Sequence, residues 1–268
     1  MDGPCGIITL LTDFGTQDGY VGAMKGVILG INPEARIVDI GHQVERHDLF
    51  QAALVLRNTC RYFPPGSVHV VVVDPGVGGS RKPLVVETAN FFLVGPDNGV
   101  LSPVLEEFPP IKMVAIENKQ YILSHVSDTF HGRDVFAPAA AHCSLGLPVE
   151  KFGPQMKTYR RMELPHPRVL TDGLCGQVIA VDRFGNLITN ISRRGLDRHV
   201  GSSSLHIRLG GTTISKISRS YQEAPQGSPL AIMGSWDLLE IAVNGGDARS
   251  VLEAGRGSEV VVKRGFGA

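Results

Sequence analysis

Apolar runs alternate with helical patterns through the first half of the chain. Strands are predicted at Ile7–Thr12, 36–40 and 68–73, with helices at 19–29 and 48–62 between them. Because the valines of the third strand are consecutive and do not alternate with polar residues, this strand is predicted to be buried on both faces. Strand–helix alternation of this kind predicts an α/β domain with a mainly parallel sheet and flanking helices.

The pattern changes in the second half, where short strand candidates are separated by turn residues and long helical patterns are absent. These candidates lie at 177–181, 187–190, 205–209, 212–217, 229–233, 238–243 and 259–263. Closely spaced short strands predict a small all-β barrel or sandwich. We therefore predict an N-terminal α/β domain over 1–160 and a C-terminal β domain over 170–268, joined by a linker at about 157–170.

Amino-acid composition and net charge limit the kinds of partner that are expected for this protein. The formal net charge is zero, the sequence pI is about 7.1, and no basic patch predicts nucleic-acid binding. No apolar run approaches the roughly 18 residues of a membrane span, so no membrane partner is expected. The start of the chain lacks the basic segment of a signal peptide, and four scattered cysteines (Cys5, Cys60, Cys143 and Cys175) are typical of reduced thiols. A cytoplasmic protein is expected.

Two carboxylates follow predicted strands directly. Asp74 ends the valine strand and Asp13 ends the first strand, at the edge where open α/β sheets bind their ligands. Arg81 is a positively charged residue close to Asp74 in the sequence, and His131 lies in a polar loop at 127–134. An active site is one interpretation of this pattern. An aspartate that caps its own turn and a structural histidine are the other, and the residues alone leave both open.

Polar turns in the second domain also have two interpretations. The segment 182–186 is a polar hairpin, but aspartate, glycine and asparagine are ordinary hairpin residues. The segments 234–237 and 243–246 likewise have the composition of simple turns. The single tryptophan, Trp236, lies in the first of these turns and offers a flat apolar face to a base.

Five short motifs in this order and spacing resemble a known family. They are LTDFG at 11–15, VDPGVG at 73–78, DNG at 97–99, TFHGRD at 129–134 and DRFGN at 182–186. Together they make the chain similar, over essentially its whole length, to the S-adenosyl-L-methionine (SAM) hydroxide adenosyltransferases. These are adenosine-forming SAM hydrolases related to the fluorinase and chlorinase enzymes.

The resemblance implies a fold, an assembly and a reaction. The fold is an N-terminal α/β domain with a C-terminal β-barrel, and the assembly is a homotrimer whose sites lie between subunits. The reaction is attack of an activated water or hydroxide on the ribose 5′-carbon of SAM, which gives adenosine and L-methionine. The resemblance implies no cofactor and no metal.

The resemblance also implies roles for residues of the first domain. Asp13 holds the ribose hydroxyls, and Asp74, Arg81 and His131 form the group that activates water. The halogenating relatives carry a tyrosine at the position of Asp74, and the fluorinase has a serine at that of Gly132. Since a carboxylate repels a halide and binds water, these departures imply a hydrolase.

Contacts with the methionine and adenine parts of SAM are implied for six residues of the second domain: Asp182, Asn186, Ser235, Trp236, Asn244 and Gly245. Asp182 takes the amino group, Ser235 the carboxylate, and Asn186 the adenine. The last two residues of the set supply backbone contacts to adenine. The tryptophan stands where the halogenases carry an arginine near the methionine carboxylate, so this chain must make that contact differently.

Three other functions compete with this one. A metal-dependent hydrolase would use Asp13, Asp74, His131 and Asp134, although Arg81 would repel the cation. A SAM or adenosine sensor without turnover would use the same binding residues as the enzyme. A phosphate loop over the glycines of 76–79 would lack the lysine and hydroxyl residue that end a P-loop.

Overall fold

The computed structural model describes residues 3–201 and 205–265, which form two compact units divided between Glu163 and Leu164. The strands of the first unit are β1 (Ile7–Thr12), β2 (Arg36–Gly41), β3 (Val68–Val72), β4 (Pro83–Glu87), β5 (Phe92–Pro96) and β6 (Lys112–Ala115). Its helices are α1 (Tyr20–Ile31), α2 (Leu49–Cys60), α3 (Ser102–Glu107) and α4 (Ala137–Ser144).

The first unit is built on a six-stranded sheet in the order β2-β1-β3-β5-β4-β6. The pairs β2–β1, β1–β3 and β3–β5 are parallel, while β4 runs antiparallel to both of its neighbours. Helices α1 and α4 pack on one face, and α2 and α3 cover the other. All five residues of β3 are buried, so the predicted mainly parallel sheet with flanking helices is confirmed.

Local sequence explains where the helices begin. The Asp48 side chain accepts a hydrogen bond from the Gln51 backbone N–H at 3.0 Å, which caps the N-terminus of α2. A π-helical turn at Gly132–Phe136 precedes the alanine-rich helix α4 and leads directly into it. Turns of this type are often found at functional sites.

The second unit is mostly strand. Its strands are β7 (Arg168–Leu170), β8 (Gly173–Val181), β9 (Leu187–Ser192), β10 (Leu205–Leu209), β11 (Thr212–Ile214), β12 (Ile217–Ser218), β13 (Pro229–Met233), β14 (Leu238–Val243) and β15 (Glu259–Arg264). Two short helices accompany them: α5 (Arg193–His199) and α6 (Ala248–Val251). The last three residues of the predicted linker thus form β7.

These strands form one sheet in the order β11-β10-β15-β8-β9-β14-β13-β12, with β7 paired to β8. Because β11 also contacts β13, the two ends of this path approach each other and the sheet is barrel-like. Leu174, Val178, Ile207 and Ile241 are among the apolar side chains that fill its interior. The predicted C-terminal β-barrel is confirmed.

The helices of the second unit were not predicted. Ser192 caps α5 by accepting a hydrogen bond from the Gly195 N–H at 3.1 Å. Leu196 is the buried residue that this helix contributes. A helix with so little apolar surface has no periodic pattern to detect. No helix in the described part of the chain is long and apolar enough to cross a membrane.

Candidate active site

A cavity of about 350 Å³ lies in the first unit, where β1 and β3 end. Three of the predicted site residues line it: Asp13, Asp74 and His131. The parallel strands explain this meeting, because the carboxyl ends of β1 and β3 reach the same edge of the sheet. Asp13 and Asp74, 61 positions apart in the sequence, therefore share one wall.

The carboxylate of Asp13 is held by a loop that the sequence did not reveal. The backbone N–H of His47 donates a hydrogen bond to Asp13 Oδ2 at 2.9 Å, and the carboxylate side chain is only 9% exposed. His47 adopts a positive φ of 65° to present this N–H. Among the described residues, Oδ1 has no hydrogen-bond donor, which leaves acceptor capacity at the cavity.

Asp74 and Arg81 form a buried ion pair beside the cavity. Arg81 Nε lies 3.0 Å from both carboxylate oxygens, and Arg81 Nη2 also donates to Oδ2. The two side chains are 4% and 7% exposed. The guanidinium carbon lies 5.5 Å from the ring centre of Phe136, so an aromatic face covers the cation on another side.

The same guanidinium reaches His131. Arg81 Nη2 lies 2.8 Å from His131 Nδ1. Because a guanidinium can only donate, Nδ1 must be the acceptor, and the imidazole carries its proton on Nε2. Burial lowers the pKa of His131, and the charge of Arg81 lowers it further against the opposing carboxylates of Asp74, Asp128 and Asp134. The ring is therefore neutral near pH 7, with Nε2 as a donor.

Aromatic side chains form the apolar part of the cavity wall. The rings of Phe14, Tyr20 and Phe130 lie with their centres 5.1 to 5.8 Å apart. Gly132 packs beneath them, and a Cβ at this position would lie 3.2 Å from Phe130 Cε2 and 3.3 Å from Met24 Sδ. A larger side chain at Gly132 therefore requires these neighbours to move.

The DNG motif at 97–99 supports the end of β3. Asn98 Nδ2 donates to the carbonyl oxygen of Val73 at 2.9 Å, one residue before Asp74. Asp97 accepts a hydrogen bond from the Arg160 N–H at 2.7 Å. This motif thus fixes the backbone that carries the Asp74 carboxylate.

The other predicted site residues lie in the second unit. Asp182 organises the hairpin between β8 and β9: its Oδ1 accepts from the N–H groups of Phe184 and Asn186 at 2.9 and 2.8 Å. Its Oδ2 accepts from Asn186 Nδ2 at 2.8 Å. The structure brings Asp182 and Asn186 into direct contact within this hairpin.

Two turns flank β14 and carry the remaining residues. Ser235 and half-buried Trp236 lie in the turn before it. Asn244 and Gly245 follow the strand. Asn244 Nδ2 donates to the carbonyl oxygen of Ala224 at 2.8 Å, and Gly245 has a φ of 68° that favours glycine. The Asn244 side chain is therefore engaged within its own unit.

Several cavity residues were missed from the sequence. Asp18, Tyr20, Arg46 and His47 line the wall together with the predicted carboxylates. Tyr20 begins α1 directly after the first motif, so its position near Asp13 was a usable signal. The segment that carries His47 has no strand, helix or glycine signature, and its positive φ cannot be inferred from a histidine.

Two family models cover most of the chain. The model of the SAM hydroxide adenosyltransferase N-terminal domain matches residues 8–153, and that of the C-terminal domain matches 176–261. The chain belongs to the SAM hydroxide adenosyltransferase family. The resemblance carried by the five motifs is therefore confirmed.

Relatives within and beyond this family are similar over nearly the whole chain. A (R)-S-adenosyl-L-methionine hydrolase of Thermus thermophilus is 38% identical over 94% of this chain and 98% of its own length. One of Salinispora arenicola is 37% identical over 96% and 98%. A fluorinase of Actinoplanes is 27% identical over 89% and 91%. A crystal structure of a conserved protein from Thermotoga maritima superposes with a TM-score of 0.90, at 39% identity, covering 96% of this chain and 100% of that one.

The geometry of the site bears on the alternative of a metal-dependent hydrolase. In residues 3–201 and 205–265, no group of three or more His, Cys, Asp or Glu side chains is placed to hold a metal ion. Both oxygens of Asp74 are occupied by Arg81, whose charge repels a cation at the same position. Arg81 therefore contacts the same carboxylate that the metal alternative would use as a ligand.

Proposed function

We propose that the protein hydrolyses SAM to adenosine and L-methionine. The observation that carries the proposal is the Asp74–Arg81–His131 arrangement, in which a buried cation joins a carboxylate and a neutral imidazole at a cavity wall. Two relatives named (R)-S-adenosyl-L-methionine hydrolase, each matched over nearly the whole chain, support the same reaction.

The reaction suits a partly apolar cavity. Oxygen of water bonds to the ribose 5′-carbon as the carbon–sulfur bond breaks, and the bonding electron pair leaves with the sulfur of methionine. The sulfonium cation is neutralised in this step, and the water gives up one proton. A site that excludes bulk water favours a transition state in which charge disappears. Alignment of water with the carbon–sulfur bond lowers the barrier further.

The three side chains divide the work on water. Asp74 keeps lone pairs beyond those used by Arg81, so its carboxylate accepts the proton that water loses. His131 donates from Nε2 to the water oxygen and orients it, because its Nδ1 is engaged by Arg81. Arg81 holds both partners in place and stabilises the negative charge that develops on oxygen.

Substrate contacts are proposed from the family roles. Asp13, with free acceptor capacity at the cavity, takes the ribose hydroxyls. Residues of the second unit take the methionine and adenine parts: Asp182, Asn186, Ser235, Trp236, Asn244 and Gly245. We place these contacts in a homotrimer, in which the N-terminal domain (1–160) of one subunit and the C-terminal domain (170–268) of the next complete each site. The four free cysteines support a cytoplasmic location.

Incubation with SAM in H₂¹⁸O tests the function. We expect adenosine and L-methionine in equal amounts, with one ¹⁸O atom in the 5′-hydroxyl of adenosine, and no loss of rate after treatment with a chelator. SAM binding without either product would establish the sensor alternative. Loss of activity with chelator would establish the metal-dependent alternative.

A further inference from the structure

Among the described residues, the carboxylate of one largely buried side chain of the second unit, Glu240, has no hydrogen-bond or ion-pair partner. Glu240 lies in the middle of β14, between Ile188 of β9 and Ile232 of β13, and is 6% exposed. Its carboxylate packs against the backbone of the turn at 234–237, because a Cβ on Gly234 would lie 1.7 Å from Glu240 Oε1. A side chain at position 234 would therefore require the end of the Glu240 side chain to move.

No described residue donates a hydrogen bond to Glu240 or forms an ion pair with it. An ionised carboxylate without a partner is expensive to bury. Burial, together with the negative charge of Asp182, raises the pKa of Glu240 to about 7. A cation bound next to the Glu240 carboxylate would therefore offset both the cost of its burial and its repulsion by Asp182.

Two other groups interact electrostatically with this carboxylate: Asp182 in the hairpin between β8 and β9, and Tyr221 in the short 3-10 turn at Tyr221–Glu223. Burial raises the pKa of the Tyr221 phenol, and the charges of Glu240 and Asp182 raise it further. The neighbours on β9 and β13 are apolar, and no basic group in the described part of the chain offsets the pKa shift of Glu240 or of Tyr221.

We propose that Glu240 is a second anionic contact, beside Asp182, for the primary ammonium of the amino-acid end of the substrate. This rests on the proposed hydrolysis of SAM. An ammonium group has three N–H donors, and Glu240, Asp182 and the Tyr221 hydroxyl supply three acceptors. Asp182 already accepts three hydrogen bonds within its hairpin, so it is a weak ammonium ligand alone. Glu240 supplies the unused carboxylate.

Glu240 thus makes the site specific for sulfonium compounds that carry an α-amino group. A substrate that lacks this group leaves two neighbouring carboxylates without a counter-charge and binds weakly. Because the ammonium binds the ionised form, we also expect the KM for SAM to fall as the pH rises through about 7.

The test compares Glu240→Gln with the wild type on SAM and on the SAM analogue in which hydrogen replaces the amino group. We expect the variant to raise KM for SAM about ten- to a hundredfold, the usual effect of losing a charged hydrogen bond, with kcat changed less than about threefold. KM for the deaminated analogue should change little, and the pH dependence of KM near 7 should disappear. Glu259→Gln, an exposed glutamate of the same unit, is the matched control.

A thermal melt separates binding from a structural role. Removal of an unpartnered buried charge should raise the melting temperature of the ligand-free protein at pH 8, whereas loss of a structural contact would lower it. Wild-type hydrolysis with unchanged KM and unchanged discrimination in Glu240→Gln would overturn the inference and leave the proposed function intact. A wild type that neither binds nor hydrolyses SAM would overturn both.

Discussion

Replacing Asp74 with asparagine keeps the size of the side chain and removes its charge. In the wild type, Arg81 makes three contacts with the carboxylate and one with His131. The asparagine can accept through one oxygen only, and its NH₂ group opposes a guanidinium donor. The variant therefore loses the group proposed to accept the proton of water and leaves a buried cation partly unpaired.

Both losses have a predictable size. A positioned base contributes about 10²- to 10⁴-fold to a rate, so adenosine formation should slow by that factor in Asp74→Asn. Breaking a buried ion pair costs about 3–5 kcal/mol, and the remaining acceptor places the variant near the lower value. A loss of about 3 kcal/mol corresponds to a fall in melting temperature of roughly 6–12 °C.

The assays are adenosine release by chromatography, SAM affinity by calorimetry and a thermal melt. Affinity for SAM should change far less than the rate, since Asp74 is proposed to contact the attacking water and not the substrate. Glu107→Gln, which disturbs the surface pairs with Arg57 and Arg61, is the control that alters an ion pair away from the cavity. Full activity of Asp74→Asn would refute the proposed role. Equal losses of rate and affinity would reassign Asp74 to ligand binding.

Three further results are expected. Asp13→Ala should weaken binding of adenosine and SAM together by about 1.5–3 kcal/mol, and calorimetry with unchanged affinities would make Asp13 structural. SAM with chloride or fluoride should give no 5′-haloadenosine, and a halogenated product detected by mass spectrometry would contradict the assignment. In the same region, Gly132→Ser should lower the stability of the protein, because a Cβ at this position would lie 3.2–3.4 Å from its neighbours. Burial lowers the pKa of His69 to about 4, so as the pH falls from 6.5 the unfolded chain binds a proton before the folded chain does. Denaturant unfolding should therefore show that the free energy of unfolding falls by about 3 kcal/mol by pH 4. The same dependence of this free energy on pH in His69→Leu would exclude His69 as the cause.

The elements that could be predicted well from the sequence are determined by residues within the element or next to it. The valine run of β3 is buried because it has no polar face, and Asp48 caps α2 through its own side chain. The helices α5 and α6 could not be predicted, because Leu196 and Ala248 are the buried residues they contribute. The burial of such helices is set by tertiary packing and not by a periodic pattern.

In the candidate site, too, some features follow from the local sequence and others depend on the tertiary structure. The motif around Asp74 predicted a carboxylate at a strand end, and the cavity lies there. The pairing of Arg81 with both Asp74 and His131 needs the three-dimensional structure, because the loop of His131 is distant in sequence. Glu240 had a visible signal, since it is a charged residue within the apolar strand β14, but its contact with Gly234 depends on how the turn folds back.

Energetics connect the ion pair to function more firmly than to stability. A buried pair such as Asp74–Arg81 can often be replaced by apolar side chains of similar size with no loss of stability. Packing alone therefore does not require two charges at this wall. Their value lies in the cavity, where Arg81 fixes the tautomer of His131 and leaves lone pairs of Asp74 for a bound water. Glu240 follows the same logic in the second unit, as a charge whose cost is offset only when a cation binds.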